Sequence, residues 1–242
     1  MKNLLLIGAA AAALLASPVM AQDTSAASGY LGLGWSQVDV DGLGEGDGWD
    51  LNGAVAFPVS QSLTMQLDAS YLSADGDADA MFGQAHLFNR SATGSFGGFV
   101  AVADVEDVNV WGLGLEGAHY MENVTLAGVV AYGQVDDLDV DAWGIAGEAR
   151  FFVSDNFRID TTAGWGDSDG GDGWNLGIGG EMGLGETPFS LYAGYDHSDS
   201  EGLEADTLTI GLRMNFGTGS LKERDRSGAS RMGARSVFGA LF

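Results

Sequence analysis

The sequence predicts an all-β protein: a closed antiparallel up-and-down transmembrane β-barrel of twelve strands, with ten as the alternative count. Three observations carry that prediction. Apolar and polar residues alternate with a period of two, repeatedly, from Tyr30 to Phe216. Turn-forming residues interrupt the alternation at hairpin spacing. Aromatic residues recur at both ends of the alternating stretches, while the opposite face is small or charged.

Composition sets the frame. Residues 1–21 read as a secretory signal peptide: Lys2, an apolar run over 4–15, and Val19-Met20-Ala21 at the cleavage site. That run is too short to span a bilayer, so it is read as removed, leaving an exported chain. There is no Cys, which excludes a disulfide framework and a lipid-anchored lipoprotein. No later stretch approaches the roughly 18 apolar residues of a membrane helix. Gly is abundant (39) and Pro scarce (3), but 45% hydrophobic content argues against disorder. The net charge of −24 argues against nucleic acid as a partner. Basic residues are unevenly placed: only Arg90, Arg150, Arg158 and Arg213 serve the middle of the chain, and five more follow residue 220.

Residues 22–28 read as a short polar lead-in, and the barrel is expected over 29–216. The twelve stretches are 29–38, 48–58, 63–73, 80–90, 95–103, 108–120, 124–133, 140–153, 157–166, 173–184, 189–196 and 206–216. Alternation is blurred around Phe88, Phe96 and Phe99, which is why ten strands remain an option. Two kinds of connection alternate. Tight ones are Ser60-Gln61-Ser62, Met121-Glu122-Asn123, Ser154-Asp155-Asn156 and Gly185-Glu186-Thr187. Longer acidic ones run over 39–47, 74–79, 136–141, 167–172 and 197–206. A meander with one end in the periplasm and the other outside produces this alternation, and an even strand count puts both termini on the periplasmic side. Trp49, Trp111, Trp143 and Trp174 each open a strand, the first two about two hairpins apart and the others about one, a repeat fitting a barrel.

Bulky faces run from one large residue to another eight positions on, as from Trp49 to Phe57, Trp143 to Phe151, and Phe157 to Trp165. Eight steps make about 27 Å of strand, or roughly 21 Å of height when tilted, near the apolar band of a membrane barrel. The aromatics sort by end. Trp35, Trp49, Trp111, Trp143, Trp165 and Trp174 sit beside the acidic connections; Phe57, Phe151, Phe157, Phe189 and Phe216 sit beside the tight turns. They are expected as membrane girdles. A soluble core would not need every Trp at one end. The other face carries the candidate lumen charges Asp50, Asp68, Glu116, Glu148, Arg150, Arg158, Asp160, Glu181 and Arg213, among small residues such as Gly112, Gly177 and Gly194. A Lys or Arg facing lipid at mid-depth costs roughly 2–4 kcal/mol, so these are placed inward.

The last stretch, Thr209 to Phe216, resembles the C-terminal assembly signal of Gram-negative outer-membrane barrels, with Thr209, Gly211, Met214 and Phe216 in its specified places. With signal peptide, girdled strands and terminal signal together, the chain resembles a small Gram-negative outer-membrane β-barrel protein of the porin type over residues 1–216. Two departures stand out. No connection is long enough to fold in as a constriction loop, and 26 residues follow Phe216 where such chains stop. The resemblance implies an outer-membrane location and three kinds of partner: outer-membrane lipid and lipopolysaccharide, the barrel-assembly machinery, and small ions and solutes.

Other chemistry is weaker. Asp75-Gly76-Asp77-Ala78-Asp79 starts like a calcium loop but lacks the following Gly and distal Glu; Asp167, Asp169 and Asp172 are similarly partial. A solvated rim is the favoured reading, with no metal and no cofactor. His86 lies mid-strand, His119 near a tight turn, and His197 in an acidic connection beside Asp196. Adjacent strand residues point to opposite faces, so no ready dyad forms and no enzyme is expected. Arg150 and Arg158 flank a tight turn. With Glu148, Asp160 and Arg213 they line one end of a pore, or form a salt-bridge ladder in a filled lumen.

The tail, 217–242, carries Lys222, Arg224, Arg226, Arg231 and Arg235 against Glu223 and Asp225. A disordered periplasmic extension is the favoured reading. The tail is also long enough to enter the pore, where a negative lumen would hold a positive segment and partly occlude the channel from below. The function expected is passive diffusion of ions and small polar solutes, cation-preferring because of the acidic rim. The alternative is a structural or surface-interaction barrel with a filled lumen and acidic extracellular loops.

Overall fold

A computed structural model describes residues 27–74, 78–105, 108–135, 140–232 and 237. The signal peptide and most of the lead-in lie outside the described residues. Twelve strands follow in chain order: β1 (Ser28–Val40), β2 (Gly44–Pro58), β3 (Leu63–Ala74), β4 (Ala78–Arg90), β5 (Gly94–Val105), β6 (Val108–Tyr120), β7 (Val124–Val135), β8 (Val140–Ser154), β9 (Phe157–Ser168), β10 (Gly171–Gly183), β11 (Phe189–Ser200) and β12 (Leu203–Phe216). Each pairs antiparallel with its neighbours, and β1 closes on β12 from Gly29↔Phe216 to Val40↔Ala205. Closure satisfies every strand edge, which is what a sheet in lipid requires.

Strand parity decides inside from outside. Outward residues are apolar and open: Leu51 is 55% exposed and Ile178 57%. Inward neighbours are polar and covered: Glu116 and Glu181 are each 3% exposed. That is the reverse of a soluble protein and the expected pattern for a barrel whose solvent is lipid.

The strands run further than the alternation predicts. The connections at one end, 41–43, 75–77, 106–107, 136–139, 169–170 and 201–202, are as short as those at the other. The long acidic connections expected over 39–47, 167–172 and 197–206 are therefore mostly strand, while 75–77, with the calcium-like start at Asp75, and 136–139 lie outside the described residues. His197, expected in a loop, pairs across the ladder with Asp206. The reason is turn chemistry. Glu201 (φ 51°) and Gly202 (φ 82°) both take left-handed backbone, which closes a two-residue hairpin whose twist suits the strands. Acidity, not length, distinguishes the two ends. They are called here the acidic end and the terminal end, where β1 begins and β12 finishes.

After β12 the chain reverses. Gly217 (φ 94°) and Gly219 (φ 100°) adopt backbone that side chains disfavour, and helix α1 (Leu221–Ser227) follows at once. A capping box starts it: the Ser220 side chain accepts from the Glu223 N–H, and Glu223 Oε2 accepts from the Ser220 N–H at 2.8 Å. The expectation of a disordered extension does not describe 220–232. The sequence signal for order there is the Ser220–Glu223 spacing, set within a run of charges.

Candidate functional site: the charged lumen and its occupant

Helix α1 lies across the terminal mouth, held by side-chain and main-chain groups of the tight turns. The Leu221 N–H donates to Asn156 Oδ1 (3.1 Å), and Lys222 Nζ to Asn123 Oδ1 (3.0 Å). Arg226 donates to the carbonyls of Met121 and Glu122 (2.9 Å for the latter). From the wall, Arg90 donates to the carbonyls of Ser227 and Gly228 (2.7 Å for the latter). Lys222 and Arg226 thus meet oxygens of the turns, Asp155 Oδ1 among them, and Arg231 meets the hydroxyls of Ser95 and Tyr120, not lumen carboxylates as their charge alone suggests.

The tail's anchor inside the barrel is an acid. Asp225, 2% exposed, places Oδ1 2.6 Å from Arg150 Nη1, and Thr125 Oγ1 donates to its Oδ2 at 2.7 Å. Arg158 Nη1 stands 3.9 Å from Oδ1. Burial on its own would push the Asp225 carboxyl up; the arginines, Arg150 foremost, outweigh that and hold it below the usual carboxylate range. Beyond the helix, the N–H groups of Ser230 (3.0 Å) and Arg231 (3.3 Å) donate to Gln66 Oε1. The Arg231 guanidinium lies over the Phe88 ring at 4.8 Å. Val237 is fully covered by Phe99, Val129 and Ala131, and a Cβ at Gly144 would come within 2.6 Å of it. On β8, Arg150 and Gly144 are six residues apart, about 20 Å of strand. The tail therefore rises through much of the lumen.

The wall charges form two groups. In the first, His86 sits between Asp68 (Nε2 to Oδ2, 2.7 Å) and Glu116 (Nδ1 to Oε1, 2.9 Å), and Gln66 Nε2 donates to Asp68 at 2.8 Å. This links the histidine to the tail through Gln66. The second is a ladder. Arg150 pairs with Glu148 (2.5 Å), Arg158 with Asp160 (3.1 Å) and Glu181 (3.1 Å), and Arg213 with Glu181 (2.5 Å). Arg213 also stacks over Tyr30 (4.1 Å) and Tyr192 (4.9 Å). Asp50 stands apart, accepting from the Asn52 side chain. Among the described residues, no group of three or more His, Asp or Glu is placed to hold a metal ion.

The tail contacts β3 to β9. Beside it, along β9 to β12, a cavity of about 240 Å³ remains, lined by Arg158, Asp160, Glu181, Tyr192, Thr209 and Arg213 among others. Glycines make the room: Gly179 and Gly194 line it and bring no side chain.

Of the aromatic girdle residues, Trp49, Trp143, Trp174, Phe151, Phe157 and Phe189 are exposed outward, while Trp35, Trp111, Trp165, Phe57 and Phe216 are half-buried. Trp143 packs edge-on against Trp165 at 5.1 Å, and Trp111 against Tyr132 at 6.0 Å. Of the assembly-signal residues, Thr209 shares a hydrogen bond with Ser36 (2.9 Å), a Cβ at Gly211 would run into the Tyr192 ring, and Met214 is exposed outward. Sequence reasoning missed the inward aromatics Phe88 and Phe99. Parity could have found Phe88, which falls between the inward His86 and Arg90 on alternate positions.

Solved structures of similar fold include small channels. The KdgM porin in complex with disordered oligogalacturonate has TM-score 0.59 at 8% identity, over 77% of this chain and 99% of that one. The NanC porin has TM-score 0.59 at 8% identity, over 76% and 100%. The COG4313 outer membrane channel from Pseudomonas putida F1 has TM-score 0.58 at 14% identity, over 81% and 97%. At these identities the likeness is one of fold. No curated protein matches the chain. The family described as outer membrane protein beta-barrel domain matches residues 8–216, and that span, which contains the whole closed twelve-strand ladder, places the chain in this family.

Proposed function

We propose that the protein is an outer-membrane channel for passive diffusion of ions and small polar solutes, and that transport follows the cavity along β9 to β12. The observation that carries this reading is that cavity, about 240 Å³ beside the tail, with a further space of about 120 Å³ between the tail and the wall. Its lining carries charges of both signs: Arg158 and Arg213 pair with Asp160 and Glu181, and Asp196 adds one further acid. Such a wall holds water and passes small polar species without binding one charge tightly. The fold's likeness to small channels supports it. The oligogalacturonate of the KdgM complex is not carried over; at 8% identity no side chain can be matched.

In this reading residues 1–21 are removed on export, both barrel termini face the periplasm, and the terminal end is the periplasmic mouth. The Trp and Phe residues named above are the membrane girdles, and Thr209, Gly211, Met214 and Phe216 are the assembly signal. The acidic end faces outward and concentrates cations at low salt, giving cation preference. Single-channel recording across a salt gradient tests this. A cation-selective reversal potential that fades at high salt is expected, and anion preference at low salt would contradict it.

A second reading has an observation of its own. The tail fills the lumen from β3 to β9, with Asp225 and Val237 fully covered. A structural barrel with a filled lumen needs no more. Zero conductance in the same recording favours it.

A further inference from the structure

The pocket that holds Asp225 belongs to the barrel, not to the tail. Thr125 comes from β7, Arg150 from β8 and Arg158 from β9, and Thr125 and Arg150 are 0% and 5% exposed. The wall presents one donor to each oxygen of a single carboxylate: Arg150 Nη1 to Oδ1 and Thr125 Oγ1 to Oδ2. Arg150 gives its other amino group to Glu148 and also donates Nη1 to the Ser230 carbonyl (2.9 Å), so beyond Glu148 the one carboxylate that it holds, together with Thr125, is that of Asp225. A buried guanidinium and hydroxyl built into three adjacent strands make a receptor, and Asp225 is the ligand seated in it.

We propose that Thr125, Arg150 and Arg158 form a carboxylate-binding site in the lumen, occupied at rest by Asp225, and that small carboxylate solutes compete for it and release the tail. The site rests on the channel reading only for its route of access. Release is feasible because the barrel does not depend on the tail: every strand pairs with its neighbours and β1 closes on β12. Apart from Leu221, the cluster at Val237 and the stacking of Arg231 over Phe88, the described tail contacts are hydrogen bonds and ion pairs, which water can replace. The barrel side keeps its charge balance once the tail leaves, since Glu148 stays on Arg150 and Asp160 and Glu181 stay on Arg158. A solute carboxylate then finds the same two donors that Asp225 left. The geometry favours a carboxylate over a halide, because a carboxylate meets Arg150 and Thr125 with a separate oxygen each, as Asp225 does.

The chain has no cysteine, so one can be introduced as a reporter. Ala229, half-buried on the tail just past α1, is suitable. Full-length Ala229→Cys protein in detergent is labelled with a membrane-impermeant maleimide in sodium succinate and in sodium chloride at equal ionic strength. Succinate should speed labelling about tenfold, the loss expected for one charge-assisted contact. Adding Asp225→Asn should give fast labelling in both salts, and adding Thr125→Val should weaken the succinate effect while the heat-dependent gel shift shows a folded barrel. Equal labelling in the two salts, or Asp225→Asn labelling like its parent, overturns the proposal. Thiol labelling reads tail release whether or not the barrel conducts. A silent bilayer with succinate-dependent labelling therefore sinks the channel reading and leaves the site standing.

Discussion

Asp225 Oδ1 lies 2.6 Å from Arg150 Nη1, joining residues 75 positions apart and tying the tail to the wall of β8. Both side chains are buried, so the pair is screened little by salt and its loss is felt. Replacing Asp225 by Asn keeps the shape and removes the charge. A hydrogen bond to a charged group contributes about 1.5–3 kcal/mol, so docking should weaken by roughly one to two orders of magnitude. A spin label at the exposed Ser227 should report this as a gain in mobility. Unchanged mobility in Asp225→Asn would mean that the turn contacts of α1 hold the tail unaided.

The same carboxylate sets a pH dependence. Arg150, then Arg158, keeps Asp225 below the usual carboxylate range despite burial. A lowered native value means that docking gains stability above the undocked pKa and loses it as pH falls through the docked value. The groups that act on Asp225 are Arg150 and Glu148 on β8, Arg158 on β9, Arg90 on β4 and the Thr125 hydroxyl on β7. The Ser227 label should therefore stay immobile from neutral pH through the ordinary carboxylate range and loosen only in stronger acid. Asp225→Asn should show no such transition. Loosening that begins near neutrality would point to another group as the latch.

Trp111, Trp143 and Trp174 should meet lipid near the acidic end. Trp143 and Trp174 are exposed on the outward face, each two positions from another exposed apolar residue, Ile145 and Leu176. Spin labels at the three positions should be reached by lipid-soluble quenchers and shielded from aqueous ones. The opposite accessibility would remove the membrane reading.

The barrel was legible because its signals are local. Period-two alternation sets parity, and parity needs no knowledge of which strands meet. Turn residues set the count of strands. The ends were less legible: Glu201-Gly202 closes a hairpin in two residues, yet the acidic residues around it look like a loop by composition alone. The ladder from Glu148 to Arg213 was foreshadowed by the placing of Arg150 and Arg158 around one turn. Asp225 was invisible as a site residue. Its role depends on Thr125 and Arg150, 100 and 75 residues away, and a lone acid in a basic run reads as a charge to be subtracted. Phe88 and Phe99 face inward against the expectation for aromatics because the tail supplies the apolar and cationic partners they cover.

A chain ending after Gly217 should still form the barrel. Its last ladder, Gly29↔Phe216, lies before the cut, so closure loses no strand pair. What it loses is α1 and the segment that follows, and with them the occupant of the β3 to β9 half of the lumen. The cavity along β9 to β12 would then merge with that half, and conductance at low salt should exceed that of the full-length protein. Raising salt should narrow the difference, because the exposed contacts of α1, such as Lys222 with Asp155, are screened and the full-length tail spends less time docked. The buried Asp225–Arg150 pair resists that screening, so the two proteins should approach each other without becoming equal. Equal conductance already at low salt would mean that the tail does not restrict the path. Failure of the truncated chain to insert would mean that assembly needs residues beyond Phe216, and that the terminal signal does not end there.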